Sequence, residues 1–472
     1  MSSLNELPER VSAQIAPLLP AHSSILIGLS GGVDSVVLLH LLHELAPRFS
    51  WQLSALHVHH GISPNADAWS DFCAGICASL HIPLHIERVD IAPLREHGIE
   101  AAARKLRHVA FARQPCDFVA LAHHADDQAE TLLLQLLRGA GVRGASAMPV
   151  LSQPKRLLLS RRSGSPNLLR PLLHCSRHEI LAYAAAHDLH WIEDESNADD
   201  TYPRNFLRHR VLPLLSEIFP AYRDTLSRSA QHFAEAGELL DDLARLDAQN
   251  SLPLPFGERG QDHDVTLDVS CLQSLSQPRA KNLLRYFLLS LNAPMPQAVQ
   301  LDDMLQQLCN AREDAAVCIA YGDWQVRRYQ GKVYALRALG EFDSGLVQHW
   351  HDEAELDWHT RLHFNYLQGT GISLVKLQRA PVTLRLRHGG ETLRPHPAAA
   401  TRTVKNLLQE HHIPPWQRDR LPLLYCGDDL VCVPGVAIAA EYQAVSDEAG
   451  IAVVFRPGQD VPRGEDDSGL LR

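Results

Sequence analysis

Residues 28–35 read Gly-Leu-Ser-Gly-Gly-Val-Asp-Ser. Hydroxyls, glycines and one carboxylate crowd a tight turn, and two chemistries fit them. Gly28 to Gly32 matches Gly-x-Ser-x-Gly, in which a serine nucleophile sits on a strand-to-helix elbow. That elbow comes late in its sheet and takes part of its oxyanion hole from an earlier strand–helix loop. Only 24 residues precede the apolar run at 25–29, too few for those strands. The other chemistry is a phosphate cradle. Glycine lets backbone approach an anion closely, and the N–H groups and dipole of the following helix favour negative charge. Ser30, Gly31, Gly32, Val33 and Ser35 would line it. A Walker loop places a lysine before its last Ser/Thr; here that position is Asp34. A carboxylate among phosphates calls for an intervening cation, and Mg²⁺ suits it.

Three later segments carry matching chemistry. "LAHHADDQAETLLLQLLRGAG" (121–141) places Asp126, Asp127 and Glu130 in the first turn of a helix, where the dipole favours acids. Asp127 and Glu130 share a face. The group reads either as a plain cap or as carboxylates holding Mg²⁺ beside the phosphates. Its His123-His124 pair, like "HVHH" at 57–60, is expected by chance among 27 histidines. "GIEAAARKLRHVAFAR" sets Arg104 and Arg107 on one helix face, either solvated or neutralising charge that develops on phosphates. "DESNADDTYPRNFLRHRVLP" (194–213) combines Asp194, Ser196 and Asn197 with Arg204, Asn205 and Arg208. It is either a polar loop or a set of groups able to hold an amino acid's ammonium and carboxylate.

The elements that must position these residues are readable. Apolar runs "ILIGL", "LSALHVH", "LHIERV" and "FVALAHH" alternate with helix-period segments at 34–46, 67–80, 98–113 and 126–138. That alternation predicts βαβ units in a doubly wound parallel sheet, whose ligands bind at the carboxyl ends of the strands. The chain of 472 residues is long enough for about three domains. We expect an α/β catalytic domain at 1–215, a mainly helical domain at 216–345, a small α+β domain at 372–458 and a disordered polar tail at 459–472. Helices are predicted from about 204 to 249, near 277–291 and near 297–312, with a hairpin to follow. The N-terminus shows no apolar signal core, and no apolar run reaches membrane-spanning length. Nine widely spread cysteines suggest reduced thiols and a cytoplasmic protein; Cys73 and Cys77 read as core or half-exposed thiols rather than metal ligands.

Charge points to a polyanion. The net charge is −11, yet residues 131–178 hold Arg138, Arg143, Lys155, Arg156, Arg161, Arg162, Arg170 and Arg177 with no acid. Residues 376–405 carry a further net +6, including Arg387 and Lys405. Such asymmetry marks a nucleic-acid face, unless acids from elsewhere in the fold balance it. Trp416 and Arg418 follow between prolines, a pair suited to stacking on an exposed base.

"SGGVDS" resembles the pyrophosphate-binding loop of N-type ATP pyrophosphatases, which split ATP into AMP and pyrophosphate. Taken with "HVHHGI", "EAAARKLR", "AHHADDQAETLLLQLLRGAG" and "DESNADDTYPRNFLRHRVLP", in that order, the first 215 residues resemble bacterial tRNA(Ile)-lysidine synthetases. "LRHGGETLRP" and "TVKNLLQEHHIPPWQRDRLPLLY" resemble the C-terminal domain of the three-domain members. The chain departs from many members at His59, where asparagine is usual.

The resemblance implies that ATP adenylates O2 of the wobble cytidine of an isoleucine tRNA with a CAU anticodon, and that free L-lysine then displaces AMP from C2. It implies an ATP site of Ser30 to Ser35 with His57, and catalytic roles for Asp34, Arg104, Arg107 and Asp127. Asp34 and Asp127 would hold Mg²⁺, and Asp34 is also the candidate base for the lysine ammonium. Asp126, Glu130, Asp194, Ser196, Asn197, Arg204, Asn205 and Arg208 would bind lysine and cytidine. Arg161, Arg162, Arg387, Lys405, Trp416 and Arg418 would bind tRNA. A homodimer is left open, and no membrane partner is expected. The nearest rival is a tRNA thiolase, some of which use Cys-x-x-Cys pairs that this chain lacks. A small-molecule amidating ligase needs neither the basic stretches nor the extra domains. A nucleotide-binding module without turnover needs no carboxylate cluster.

Overall fold

The computed structural model of the chain describes residues 6–91, 99–152, 166–193, 199–249, 265–312, 315–340, 342–358 and 361–455. They form two compact units, residues 1–243 and 244–470.

The first unit opens with helix α1 (Glu6–Ile15). Strands β1 (Ser24–Gly28), β2 (Gln52–His59), β3 (Leu84–Arg88) and β4 (Phe118–Ala120) then alternate with α2 (Val33–Phe49), α3 (Ala66–Ser79), α4 (Ile99–Arg113) and α5 (Ala125–Leu137). These coincide closely with the predicted runs. The single turn α6 (Val142–Ala145) and two short strands, β5 (Leu151–Ser152) and β6 (Asn167–Leu169), come next. The sheet order is β3-β2-β1-β4-β6-β5, parallel except for β5 at the edge. It is a doubly wound α/β sheet. Ile25 and Ile27 of β1 pack into one core with Val37, Leu38 and Leu41 of α2. Leu26 points to the opposite core with Ala110 and Phe111 of α4. A strand covered on both faces is apolar without a break, which is why "ILIGL" shows no alternation.

From β1 the chain winds outward through β2 and β3, then returns to place β4 on the other side of β1. The reversal opens a crevice at the carboxyl ends of β1 and β4, where Ser30 and His123 lie. Helix α7 (Arg177–Ala186) has a capping box of Ser176 and Glu179. The segment predicted as one helical run from about 204 is broken into α8 (Pro203–Phe206), a π-helical turn at Leu207–Val211, α9 (Leu212–Ile218) and α10 (Tyr222–Ala248). Prolines at the starts of α8 and α9 remove backbone donors and favour such breaks.

In the second unit, helices Gln277–Ser290 and Ala298–Asn310 pack with a four-stranded antiparallel sheet that contains the predicted hairpin. Leu283, Leu284 and Phe287 share that core with Trp324 and Val326. Residues 347–368, expected to lie between domains, instead form strands. Val347–Trp350 pairs with Val382–Arg385, and Arg361–Gln368 pairs with Ala449–Phe455. Beginning a domain at 372 would therefore cut through two sheets. The polar residues His363, Asn365 and Gln368 obscure the strand character of Arg361–Gln368 in the sequence. The predicted helix near 401–412 is present as Val404–Glu410, capped by Thr403. The polar tail at 459–472 lies outside the described residues.

All nine cysteines are free. Burial pushes the Cys73 and Cys77 thiols up to about 12 and about 11, as suits core residues. Cys318 is exposed, on the edge strand Cys318–Tyr321 of its sheet. No helix among the described residues is long and apolar enough to cross a membrane.

Candidate active site

The loop after β1 is held from within. Ser35 Oγ accepts hydrogen bonds from the backbone N–H of Ser30 and Gly31, both at 3.2 Å, and donates to the Gly32 carbonyl at 2.9 Å. It also bonds Ser30 Oγ at 3.1 Å. Ser35, expected as a phosphate donor, thus closes the loop. The first amides of α2, at Val33, Asp34 and Ser35, are the helix's natural anion-facing donors. Gly31 has φ +89°, and a Cβ there would lie 2.8 Å from Ile192 Cδ1. Beneath the loop, buried His57 bonds the Leu29 carbonyl through Nδ1 at 2.9 Å. Burial lowers its pKa, so the ring is neutral and braces the turn.

Asp34 leans over the crevice toward His124, whose Nε2 lies 3.8 Å from Asp34 Oδ2 and 3.5 Å from Asp127 Oδ2. Burial, opposed by His124 and Arg177 and reinforced by Asp127, raises the Asp34 pKa. Its Oδ1 is buried with no hydrogen-bond partner among the described residues. Burial alone would also raise Asp127, but His124 and Arg204 outweigh it and hold that carboxyl below its ordinary range.

Asp127 and Glu130 meet Arg204 and Arg208 in a closed quartet. Asp127 Oδ1 accepts from Arg204 Nη2 at 3.1 Å and Arg208 Nη2 at 3.2 Å. Glu130 has no exposed surface. It receives Arg204 Nε at 2.6 Å and Arg208 Nε at 2.7 Å on separate oxygens. A carboxylate this deep survives ionised only with such partners. Beside the quartet lies a cavity of about 310 Å³ walled by Arg104, Gln135, Arg138, Met148 and Arg204, within the range of small-ligand sites.

Other expected residues are placed differently. Asp126 stands outside the quartet: it accepts the Arg177 backbone N–H at 3.0 Å and pairs with Arg223 of α10. Adjacent helix positions diverge by about 100°, so Asp126 and Asp127 look into different surroundings. Asn205 donates to the Asp199 carbonyl at 2.9 Å and ties down the preceding turn. Arg104 borders the cavity, and Arg107 lies one turn further along α4, exposed. Asp194, Ser196, Asn197, Arg161 and Arg162 lie outside the described residues. Sequence reasoning missed His124 as the pivot of the carboxylates, because any one histidine among so many carries little signal, and missed Arg223, which is 97 positions from its partner.

In the second unit, acids from elsewhere reach much of the basic stretch. Arg394 pairs with Glu441 at 3.1 Å, Arg402 with Glu410 at 2.5 Å and Arg387 with Asp419 at 3.8 Å. Lys405 is exposed. Trp416 sits edge-on to Tyr329 and Tyr334, with Arg327 over its ring at 5.0 Å. Arg418 donates to Tyr329 Oη at 2.6 Å and to the Ile413 carbonyl at 2.7 Å. Both side chains therefore join the C-terminal segment to the hairpin within the unit.

The switch-point loop and its carboxylates define a PP-loop ATP-using enzyme, and a family profile described as a PP-loop domain matches residues 5–215. Profiles for a TilS substrate binding domain and a TilS substrate C-terminal domain match residues 267–334 and 382–455. The chain is 42% identical over 442 residues, 92% of each chain, to the tRNA(Ile)-lysidine synthase of Nitrosomonas europaea. It is 40% identical to that of an Azoarcus species over 94% of each chain. It is 38% identical to that of Coxiella burnetii over 95% of this chain and 97% of the relative. The chain belongs to the tRNA(Ile)-lysidine synthase family, ligases that form a carbon–nitrogen bond with ATP. These similarities support neither the thiolase nor the small-molecule amidating alternative.

Proposed function

We propose that the chain joins free L-lysine to C2 of the wobble cytidine of an isoleucine tRNA bearing a CAU anticodon. In the first step cytidine O2 attacks the α-phosphorus of ATP and pyrophosphate leaves. In the second, the lysine ε-amine attacks C2, the C2–O2 bond breaks, AMP departs and the amine loses a proton. The observation that carries this reading is one crevice holding both a phosphate-type loop and a buried carboxylate–guanidinium quartet.

The roles follow from chemistry. The α2 amides and Gly32 would receive phosphate oxygens, and Arg104 and Arg107 would balance charge on the leaving pyrophosphate. The unpartnered Oδ1 of Asp34 and the nearby Asp127 are a donor set that suits Mg²⁺. That ion, when bound, would neutralise phosphate charge. Asp34, whose proton affinity is raised by burial, is the carboxylate suited to accept the ammonium proton. Free lysine holds that proton with a pKa near 10.4, so at neutral pH a base must take it. The cavity bordered by Arg104 and Arg204 is offered to a cytosine turned out of its stack. Glu130, Arg204, Asn205 and Arg208 would shape the pocket that orients lysine. Arg387 and Lys405 would meet tRNA phosphates.

Steady-state pyrophosphate release should require tRNA and lysine together, and the product tRNA should carry one added lysyl group at the wobble base. Turnover that proceeds without lysine, or without tRNA, would overturn the proposal.

A further inference from the structure

A cluster of metal-binding side chains lies on the first unit, apart from the crevice. His40 and Glu44 stand four apart on α2, so they share a face, and His187 follows the last turn of α7. One ligand atom from each lies within 4.8 Å of the other two. His40 is about 10 Å along α2 from Val33 at the helical rise. Nothing in the proposed ligation uses these residues.

Tyr183 sets the chemistry of the cluster. Its hydroxyl donates to Glu44 Oε2 at 2.8 Å and lies 2.9 Å from His40 Nδ1. A phenol has one proton. With that proton given to the carboxylate, the phenolic oxygen can only accept from His40, so Nδ1 carries the hydrogen and Nε2 keeps its lone pair. Metal-binding imidazoles are oriented in this way, with the second ring nitrogen donating to a fixed partner. The His187 ring stacks on Tyr183 at 4.1 Å between centroids and lies 4.9 Å from the His40 ring, which holds it beside the other two.

We propose that His40, Glu44 and His187 form a binding site for one divalent transition-metal ion, with Zn²⁺ the best match, bridging α2 and α7. Two imidazoles and a carboxylate suit zinc, with bonds near 2.0–2.2 Å and water in the fourth position. Donors around such an ion stand a little over 3 Å apart, so small side-chain rotations must close the triangle. The site would brace the helix whose first turn carries the phosphate loop. It is unlike the Asp34–Asp127 pair, where oxygen-only donors favour a hard cation.

The test is Zn²⁺ titration of the full chain against a chromophoric chelator, with thermal unfolding followed with and without the ion. Wild type should bind one equivalent at micromolar Zn²⁺ and unfold at a higher temperature when loaded. His187→Gln and His40→Gln should lose that equivalent and the thermal shift. Tyr183→Phe should weaken binding about tenfold, the usual effect of removing an outer partner. Cys318→Ser should change nothing, which separates the site from the exposed thiol. Circular dichroism checks that each variant is folded, and Tyr183→Phe, the mildest change, carries the test if the histidine variants are not. Absence of micromolar binding in wild type, or retention of the equivalent in folded His187→Gln together with unchanged affinity in Tyr183→Phe, overturns the proposal.

Discussion

Asp34 is the residue on which the chemistry turns, since it combines a raised pKa with a buried oxygen lacking a partner among the described residues. Asp34→Asn preserves its shape and removes its charge. Tight-binding ATP measurements and circular dichroism should show an intact fold, while tRNA-dependent pyrophosphate release falls by about 10²-fold or more; turnover within tenfold of wild type would remove both roles given to it. Two partly buried histidines make a second prediction. Burial drives His60 down to about 4 and His123 down to about 3. Each is a base near 6.5 in the unfolded chain, so between those values the unfolded state binds protons that the folded state does not. Stability therefore falls as pH drops from about 6.5 toward 4. The urea midpoint should be lower at pH 5 than at pH 7, and His60→Gln should flatten the difference. At this scale the residue types of the site were legible in the sequence, because acids, arginines and glycines at short spacing have few other uses. Their partnerships were not. Nothing local to Asp126 announces Arg223, and nothing local to Ser35 announces that its hydroxyl turns inward to the loop amides.

The strand–loop–helix of β1 and α2 is the element that makes a ligand site out of a sheet edge. With Ser35 satisfying two loop amides, the turn is preformed, and little ordering has to accompany phosphate binding. Gly31 is the position that permits it. Gly31→Ala would force a Cβ into positive φ and against Ile192, costing about 1–3 kcal/mol. Thermal unfolding should register that loss, and the ATP requirement should rise more than the tRNA requirement; equal effects on both would mean that the loop only supports the fold. The βα alternation of the first unit was readable because parallel strands covered on both faces are unbroken apolar runs. The π-helical turn at Leu207–Val211 was not. Its residues have helical composition, and the extra residue in the turn is offset by the ion pairs of Arg204 and Arg208, which are tertiary. Strand Arg361–Gln368 was also hidden, since its longest pairing, with Ala449–Phe455, is made far along the chain.

Across the whole molecule, charge is less one-sided than sequence runs suggest. Asp419, Glu441 and Glu410 pair with arginines of the stretch at 376–405, so its net +6 overstates the field it presents. Exposed Lys405 is a better point of attack than the stretch as a whole. Lys405→Glu should weaken tRNA binding and lower the log–log salt slope by about one or two, with ATP binding unchanged; a slope equal to wild type would remove Lys405 from the interface. Trp416 and Arg418 are engaged with Tyr329 and Tyr334, and this explains why the prolines around them matter: they fix a joint within the second unit. The exposed thiol of Cys318 has a different consequence. It sits on a strand that is at the edge of its sheet among the described residues, and edge strands can pair with another copy, so two copies meeting edge to edge bring exposed sulfurs together. Under air, ageing samples should accumulate a covalent dimer that dithiothreitol dissolves and Cys318→Ser never forms. A doubled mass on a non-reducing gel would then report oxidation rather than a native assembly.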